Sequence, residues 1–348
     1  MKPDPAPVTS IVPPSLEAAL AAMAGKRALL IGDIMLDAYV FGETARVSRE
    51  APVLVVREER RDYRLGAAAN TAANLAALGL QVDVLGVLGD DDGGQILRRL
   101  LAQAGCELGH ILPTSRATAT KTRILAGAYG TSRQQVLRLD REPHEPIDAD
   151  THQRLADALL ALAEDCDVVV ASDYGNGTVQ GPVIEALQAL AQTGKVVCVD
   201  SRYNMQAFTG MTALTPNVPE AEAFVGFALH DRVAVERGGQ KIMEDLGCQA
   251  LVLTQGQEGM SLFQPGVAPQ HVGVMGTTEV TDVTGAGDSV IATLSAALAA
   301  GLGLYNGMLL ANCAAGVVVT RMGTAAATPR DILAAAQHNG LVLRQWAL

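Results

Sequence analysis

The sequence predicts an α/β fold: a doubly wound, mostly parallel sheet flanked by helices, with a small projecting β lid. Three observations predict it. Short, fully apolar runs recur along the chain, stretches of helix length rich in Ala and Leu lie between them, and two charged, β-prone segments interrupt the alternation.

Strands are predicted at 28–32, 82–87, 168–171, 196–199 and 250–253, and helices at 67–78, 97–104, 155–163 and 184–191. Strands that are apolar at every position need cover on both faces, which a parallel sheet between helix layers provides. Crossovers in such a sheet are right-handed, which makes it doubly wound. Ligands of that architecture sit beyond the carboxyl ends of the strands. Asp33, Asp173, Asp200 and Thr254 all fall there. The segments 53–57 and 118–139 lack intervening helices and read as exposed ribbons, the two halves of the lid.

No Pro-, Gly- or Ser-rich linker divides the chain, and no internal repeat is present. Residues 16–348 are therefore read as one domain, with lid segments at about 34–65 and 117–139. Residues 1–15 carry Pro3, Pro5, Pro7, Pro13 and Pro14 without an apolar core, which describes a flexible tail and not a secretion signal. From Ser289 to Thr320 no residue is charged, a length that would cross a bilayer. Gly301-Leu302-Gly303 splits it, and Asn306 and Asn312 interrupt the second half, so two buried core helices are expected.

Cys106, Cys166, Cys198, Cys248 and Cys313 stand singly without a CxxC pair, which argues for reduced, buried thiols and against a disulfide framework or zinc site. The expected compartment is the cytoplasm. A net charge of −11 argues against general binding to nucleic acid or anionic membrane.

The sharpest chemical signal is Asp282-Val283-Thr284-Gly285-Ala286-Gly287-Asp288, followed at once by the apolar helix 290–294. Glycines at a helix start let backbone N–H groups approach an anion, and the helix dipole favours negative charge there. Phosphoryl transfer needs such preorganised donors, and an Asp beside them can take the proton of an attacking hydroxyl. A lone Asp at this position would read as a helix cap. Two glycines, two acids and a buried helix together point to a site.

This segment resembles the nucleotide-binding signature of the ribokinase-like (PfkB) sugar kinases. The resemblance runs from about Arg27 to Thr328. It includes Gly66-Ala67-Ala68-Ala69-Asn70, Thr215-Pro216-Asn217-Val218-Pro219-Glu220 and Thr254-Gln255-Gly256-Gln257-Glu258-Gly259. It implies a ribokinase-like fold and an ATP- and Mg2+-dependent kinase. By the same resemblance Asp288 is the catalytic base, and Gly285, Ala286 and Gly287 form the anion hole for the γ-phosphate. Asn217 and Glu220 hold magnesium and phosphate, directly or through water. Thr254, Gly256 and Gly259 face the nucleotide phosphates, and Asn312 faces the adenosine. Asp33, Gly66 and Asn70 bind sugar hydroxyls, and Asp282 falls where some relatives bind a monovalent cation such as K+.

Charge placement adds an independent clue. Between Arg116 and Arg141 the bases Arg116, Lys121, Arg123, Arg133, Arg138 and Arg141 face one acid, Asp140. An acidic chain that concentrates arginine on its expected lid suits a phosphorylated substrate. A solvated ribbon, or a dimer edge whose charges prevent aggregation, is the alternative. Gly32-Asp33-Ile34-Met35-Leu36-Asp37, Val47-Ser48-Arg49-Glu50-Ala51-Pro52-Val53, Lys121-Thr122-Arg123, Leu137-Arg138-Leu139-Asp140 and Ser172-Asp173-Tyr174 are similar to the heptose 7-phosphate kinases. These make D-glycero-β-D-manno-heptose 1,7-bisphosphate for the lipopolysaccharide core. The substrate contacts this implies are Arg49, Lys121, Arg138, Asp173 and Asn176, with a homodimer joined through the lid.

Two departures stand out. Ala67 occupies the second place of what is often a Gly-Gly pair, which matters little if its φ is negative. Asn176 stands where relatives often have Lys. No HxGH motif of a fused nucleotidyltransferase occurs, so a stand-alone kinase is expected. Another sugar kinase of the same family is the nearest rival, and a non-catalytic sugar or nucleotide sensor is the rival of a different class. The absence of GxGxxG after the first strand and of GxxxxGK[ST] disfavours a dinucleotide oxidoreductase and a Walker-type NTPase.

Overall fold

The computed structural model describes residues 15–127, 133–276 and 280–340. The expected tail, apart from Ser15, and lid residues 128–132 lie outside them.

The chain begins with α1 (Leu16–Ala21) and β1 (Arg27–Gly32), followed by two long strands, β2 (Ile34–Val47) and β3 (Leu54–Ala67). Next come α2 (Ala68–Ala77), β4 (Gln81–Gly89), α3 (Asp92–Gln103), β5 (Cys106–Glu107) and β6 (Ile111–Thr114). A second strand pair, β7 (Thr120–Gly127) and β8 (Gln134–Arg141), precedes α4 (Ala149–Ala163), β9 (Val168–Asp173), α5 (Pro182–Gln192) and β10 (Val197–Ser201). Then follow β11 (Ala213–Leu214), α6 (Val218–Val225), α7 (Arg232–Leu246), β12 (Leu251–Thr254), β13 (Met260–Gln264) and β14 (Val267–Val272). The last three helices are α8 (Ala286–Ala299), α9 (Leu304–Val318) and α10 (Pro329–His338).

The main sheet runs β14-β13-β12-β11-β10-β9-β1-β4-β5, with β6 also on β4. Only the β12–β13 and β13–β14 pairings are antiparallel. Along β1, Ala28 and Leu30 pack into one apolar cluster with α2, α8 and α9, while Leu29 and Ile31 pack into another with α4, α5, α6 and α7. The period of two thus sends successive apolar side chains into two cores, which is why the strand is apolar throughout. β1 lies between β4 and β9, so the winding reverses beside it and a crevice opens beyond Gly32.

The ribbons form a separate four-stranded sheet, β3-β2-β7-β8. Every residue of β8 is exposed, with Leu137 and Leu139 at 55% and 62%. The uncharged stretch is the helix pair α8 and α9, buried along most of its length. Among the described residues no helix is long and apolar enough to cross a membrane. All five cysteines are buried and free.

Ala67 departs from expectation. Its φ is +52° and its ψ −130°, a conformation costly for any residue with a Cβ, so the exchange of Gly for Ala here carries strain.

Candidate active site

Asp288 sits in the first turn of α8 and is only 2% exposed. Its side chain does not cap the helix. Asn70 Nδ2 donates to one carboxylate oxygen at 2.8 Å, and Tyr174 Oη and Thr71 Oγ1 donate to the other at 2.9 and 3.3 Å. The donors come from α2 and from the end of β9, so two separate segments converge on one carboxylate of a third, α8. Burial pushes its carboxyl up to about 6, with Asp37 adding to the rise and the three hydrogen bonds opposing it. A carboxylate that titrates near neutrality is suited to general-base work.

Gly285 makes this packing possible. Its φ is +82°, and a Cβ there would meet Asn70 Nδ2 at 2.6 Å. Any side chain would strain the turn and push Asn70 off Asp288. The first N–H groups of a helix have no intrahelical acceptor, and Gly287, where a Cβ would meet nothing within 4 Å, leaves that end open.

Asp288 forms part of the lining of a cavity of about 180 Å³ with Asp37, Lys121, Arg123, Arg138, Tyr174 and Arg202. Four cationic side chains therefore share a small space. Asp37 engages Arg123 at 2.8 Å, with side-chain exposures of 4% and 12%, whereas Arg138 engages Asp140 through Nε at 2.8 Å on the exposed strand. The Lys121 ammonium lies 5.1 Å from the Tyr174 ring centre. Burial, together with Arg202 and Arg138, lowers its pKa. The cavity as built is short of negative charge.

A second cluster lies along the sheet. Asn217 caps α6 by accepting from Glu220 N–H at 2.9 Å, while the Glu220 carboxylate accepts from Asn217 N–H at 2.9 Å. Asn217 bridges to Thr254 at the end of β12. Gly256 and Gly259, at φ +58° and +88°, shape the turn that follows. Burial pushes the Glu220 carboxyl up, and burial with the neighbouring Glu220 and Asp288 pushes Asp200 well above its usual range. Asp200 thus links the two clusters electrostatically. Among the described residues, no three His, Cys, Asp or Glu side chains converge as metal ligands.

The profile of the pfkB family carbohydrate kinases matches residues 26–331. The chain belongs to this family. As a PfkB kinase it uses ATP to phosphorylate a carbohydrate. It is 44% identical over 326 residues to bifunctional protein HldE of Methylococcus capsulatus, covering 92% of this chain and 66% of that protein. Identity to bifunctional protein HldE of Pelobacter propionicus is 42% over 308 residues, covering 88% and 62%. The chain thus spans less than two thirds of the length of these relatives. Phosphofructokinase-2 of Escherichia coli, solved with substrates and products, superposes with a TM-score of 0.76 at 18% identity, covering 90% of this chain and 99% of that one. Ribokinase of Arabidopsis thaliana, solved with ribose and ATP, gives 0.71 at 18% identity, covering 89% and 98%. These two likenesses establish the ribokinase-like fold.

The fold gives this PfkB chain's expected residues the following partners. Asp33 does not line the cavity. Its carboxylate accepts from the backbone N–H groups of Tyr174, Asn176 and Thr178 at 2.9–3.0 Å, fastening the loop that carries Tyr174. Asp173 is likewise occupied, by Ser201 Oγ at 2.7 Å and Gly175 N–H at 3.0 Å. Asn312 spends its amide on Met275 N–H and the Gly273 carbonyl. Ala286 N–H is turned to the Val283 carbonyl at 3.3 Å, which leaves Gly285 and Gly287 of the three expected donors. Asn70 reaches Asp288 and orients it. Asp282 accepts from Thr284 and from Gly323 N–H, tying its loop to the segment after α9.

Gly66 supports Asp37, since a Cβ there would meet that carboxyl at 3.0–3.3 Å. Arg49 lies beyond the end of β2, about 30 Å along the strand from Asp37 at ~3.3 Å per residue. Asn176 lines a different, smaller cavity with Asp33 and Arg116. Sequence reasoning missed Asp37, Arg123, Thr71, Tyr174 and Arg202 as site residues. Asp37 carried a signal, because it and Asp33 stand four apart in Gly32-Asp33-Ile34-Met35-Leu36-Asp37. A strand period of two would put both on one face, but Asp33 falls at the break between β1 and β2, where that period does not hold.

Proposed function

We propose that the chain transfers the γ-phosphoryl group of ATP to the anomeric C1 hydroxyl of D-glycero-β-D-manno-heptose 7-phosphate, giving the 1,7-bisphosphate. The observation that carries this reading is the convergence of Lys121, Arg123, Arg138 and Arg202 on the cavity that holds Asp288. A base at one side of a cationic cavity suits a sugar that already bears a phosphate. The likeness of the lid motifs to heptose 7-phosphate kinases, and the identity to the two HldE proteins, support the choice of sugar.

In the reaction, Asp288 takes the proton of the C1 hydroxyl as that oxygen bonds to the γ-phosphorus. The bond to the β–γ bridging oxygen breaks, and ADP leaves. Asn70, Thr71 and Tyr174 hold the carboxylate in place, and the open amides at Gly285 and Gly287 receive the charge of the transferred group. Arg138 and Lys121 hold the 7-phosphate. The 254–259 turn meets the nucleotide phosphates. Glu220, Asp200 and the Asn217 amide offer hard oxygen donors, which fit Mg2+ held largely through water and phosphate. When bound, the ion neutralises phosphate charge. The exposed apolar residues Val47, Leu54, Leu137 and Leu139 on the lid sheet support a homodimer joined there.

The test is ATP consumption with the heptose 7-phosphate beside ribose, fructose 6-phosphate and sedoheptulose 7-phosphate. Strong preference for the heptose phosphate with product phosphorylated at C1 supports the reading, and turnover only with another sugar overturns the choice of substrate.

A further inference from the structure

Away from Asp288, a chain of side chains runs from the protein surface to the 254–259 turn. Glu236, on α7 and 37% exposed, lies 3.0 Å from His271 Nε2. His271, on β14, has Nδ1 2.7 Å from Ser261 Oγ on β13, and Ser261 is fully buried. Ser261 Oγ in turn hydrogen-bonds the half-buried Gln255 side chain, which sits between Thr254 and Gly256. Glu236, and Arg232 held to it at 3.1 Å, are the charged groups facing the imidazole from α7. From β13 and the turn the facing groups, Ser261 and Gln255, are neutral.

The proton inventory of this chain admits two arrangements. A serine hydroxyl has one hydrogen to give. When His271 carries both ring protons, Nε2–H donates to Glu236 and Nδ1–H donates to Ser261, whose hydroxyl then donates to the Gln255 carbonyl. When His271 is neutral, the Glu236 carboxylate keeps the remaining proton on Nε2 and the serine hydroxyl must donate to Nδ1. Ser261 can then only accept from Gln255, which requires the amide to turn over. One proton on His271 therefore decides which end of the Gln255 amide is left free of Ser261: the NH2 group when it is bound, the carbonyl when it is lost.

We propose that His271 is a positioning residue for the nucleotide: its protonated form presents the Gln255 amide as a donor to the nucleotide phosphates, and its neutral form presents an acceptor that repels them. This rests on the reading that the 254–259 turn meets the nucleotide.

The experiment measures KM for ATP, with saturating sugar, across the histidine range in the full chain and in His271→Gln, Glu236→Gln and Gln255→Ala. In the unaltered chain KM for ATP is expected to rise about fivefold between about pH 6 and pH 8, with kcat following a different profile. The titration of ATP itself is common to all four proteins and cancels in the comparison. His271→Gln should remove the step. Glu236→Gln, a change on the half-exposed face of α7, should shrink the step, because without the carboxylate the neutral ring can keep its proton on Nδ1 and Gln255 need not turn. A step unchanged in His271→Gln overturns the proposal. If that variant does not fold, an undiminished step in Glu236→Gln overturns it instead. Gln255→Ala separates the two layers. A KM for ATP untouched by it at both ends of the range sinks the reading of the turn, whereas an altered KM that keeps the pH step sinks only the relay.

Discussion

Replacing Tyr174 with Phe removes one of the three donors that hold Asp288 ionised, 2.9 Å from its oxygen, while leaving Asn70 and Thr71 in place. A hydrogen bond to a charged group is worth about 1.5–3 kcal/mol, and one pH unit corresponds to about 1.4 kcal/mol, so the Asp288 pKa should rise by about one to two units. Starting from about 6, it would reach about 7 to 8. The ionised fraction at neutral pH would fall from about nine tenths to between about one half and one tenth, so turnover near pH 7 should drop about twofold to tenfold and recover above about pH 9. A coupled ADP-release assay of kcat/KM for the sugar across this range reads the acid limb directly. An acid limb that stays near pH 6 in Tyr174→Phe refutes the claim that this hydroxyl tunes the base. A loss equal at every pH refutes it too, because tuning alone is restored by alkali.

Four further outcomes follow from the same geometry. Asp288 is an acid whose native pKa is raised, so its ionisation costs stability that is absent below about pH 4 and fully expressed above about pH 6. Asp288→Asn should therefore be more stable than the unaltered chain at pH 7.5 by about 1–3 kcal/mol and not at pH 4, as read by denaturant unfolding. Ala67→Gly should relieve the backbone at φ +52°, a gain of about 1 kcal/mol after the entropy cost of glycine, seen as a higher Tm. Arg123→Met leaves the buried Asp37 carboxylate unpaired and should cost about 3–5 kcal/mol, with Asp37→Asn in the same chain recovering part of it. The proposed lid dimer predicts that Leu137→Asp with Leu139→Asp on the exposed β8 sediments as a monomer with its unfolding midpoint not lowered, while the unaltered chain sediments as a dimer.

Much of this fold is legible in the sequence alone. Apolar runs such as 168–171 and 196–199, short and set between stretches of helix length, read as buried strands, and the glycines around 301–303 separate two core helices that would otherwise read as one span. The Gly285–Asp288 turn is legible because glycine spacing, acid and apolar helix coincide within seven residues. What stays hidden depends on side-chain direction and on partners distant in sequence. Asp33 sits at the break between β1 and β2 while Asp37 lies within β2, and nothing local says that Asp33 fastens the loop 174–178. That the Asn312 amide bonds the backbone at 273 and 275 is likewise not written in its neighbours. Tyr174 and Thr71 meet Asp288 across more than a hundred residues of chain, a proximity set by the order of strands in the sheet. The positive φ of Ala67 is hidden for a related reason: a sequence does not state the backbone angle that a neighbouring helix imposes.

The most direct test of Asp288 as the base is turnover by Asp288→Asn measured together with binding of ATP and of the sugar phosphate. Both ligands are expected to bind within a few-fold of the unaltered chain while kcat falls by about 10²–10⁴ at every pH, since no group remains to take the hydroxyl proton. Near-normal turnover with both ligands bound would contradict this, and the site would then have to draw its base from elsewhere.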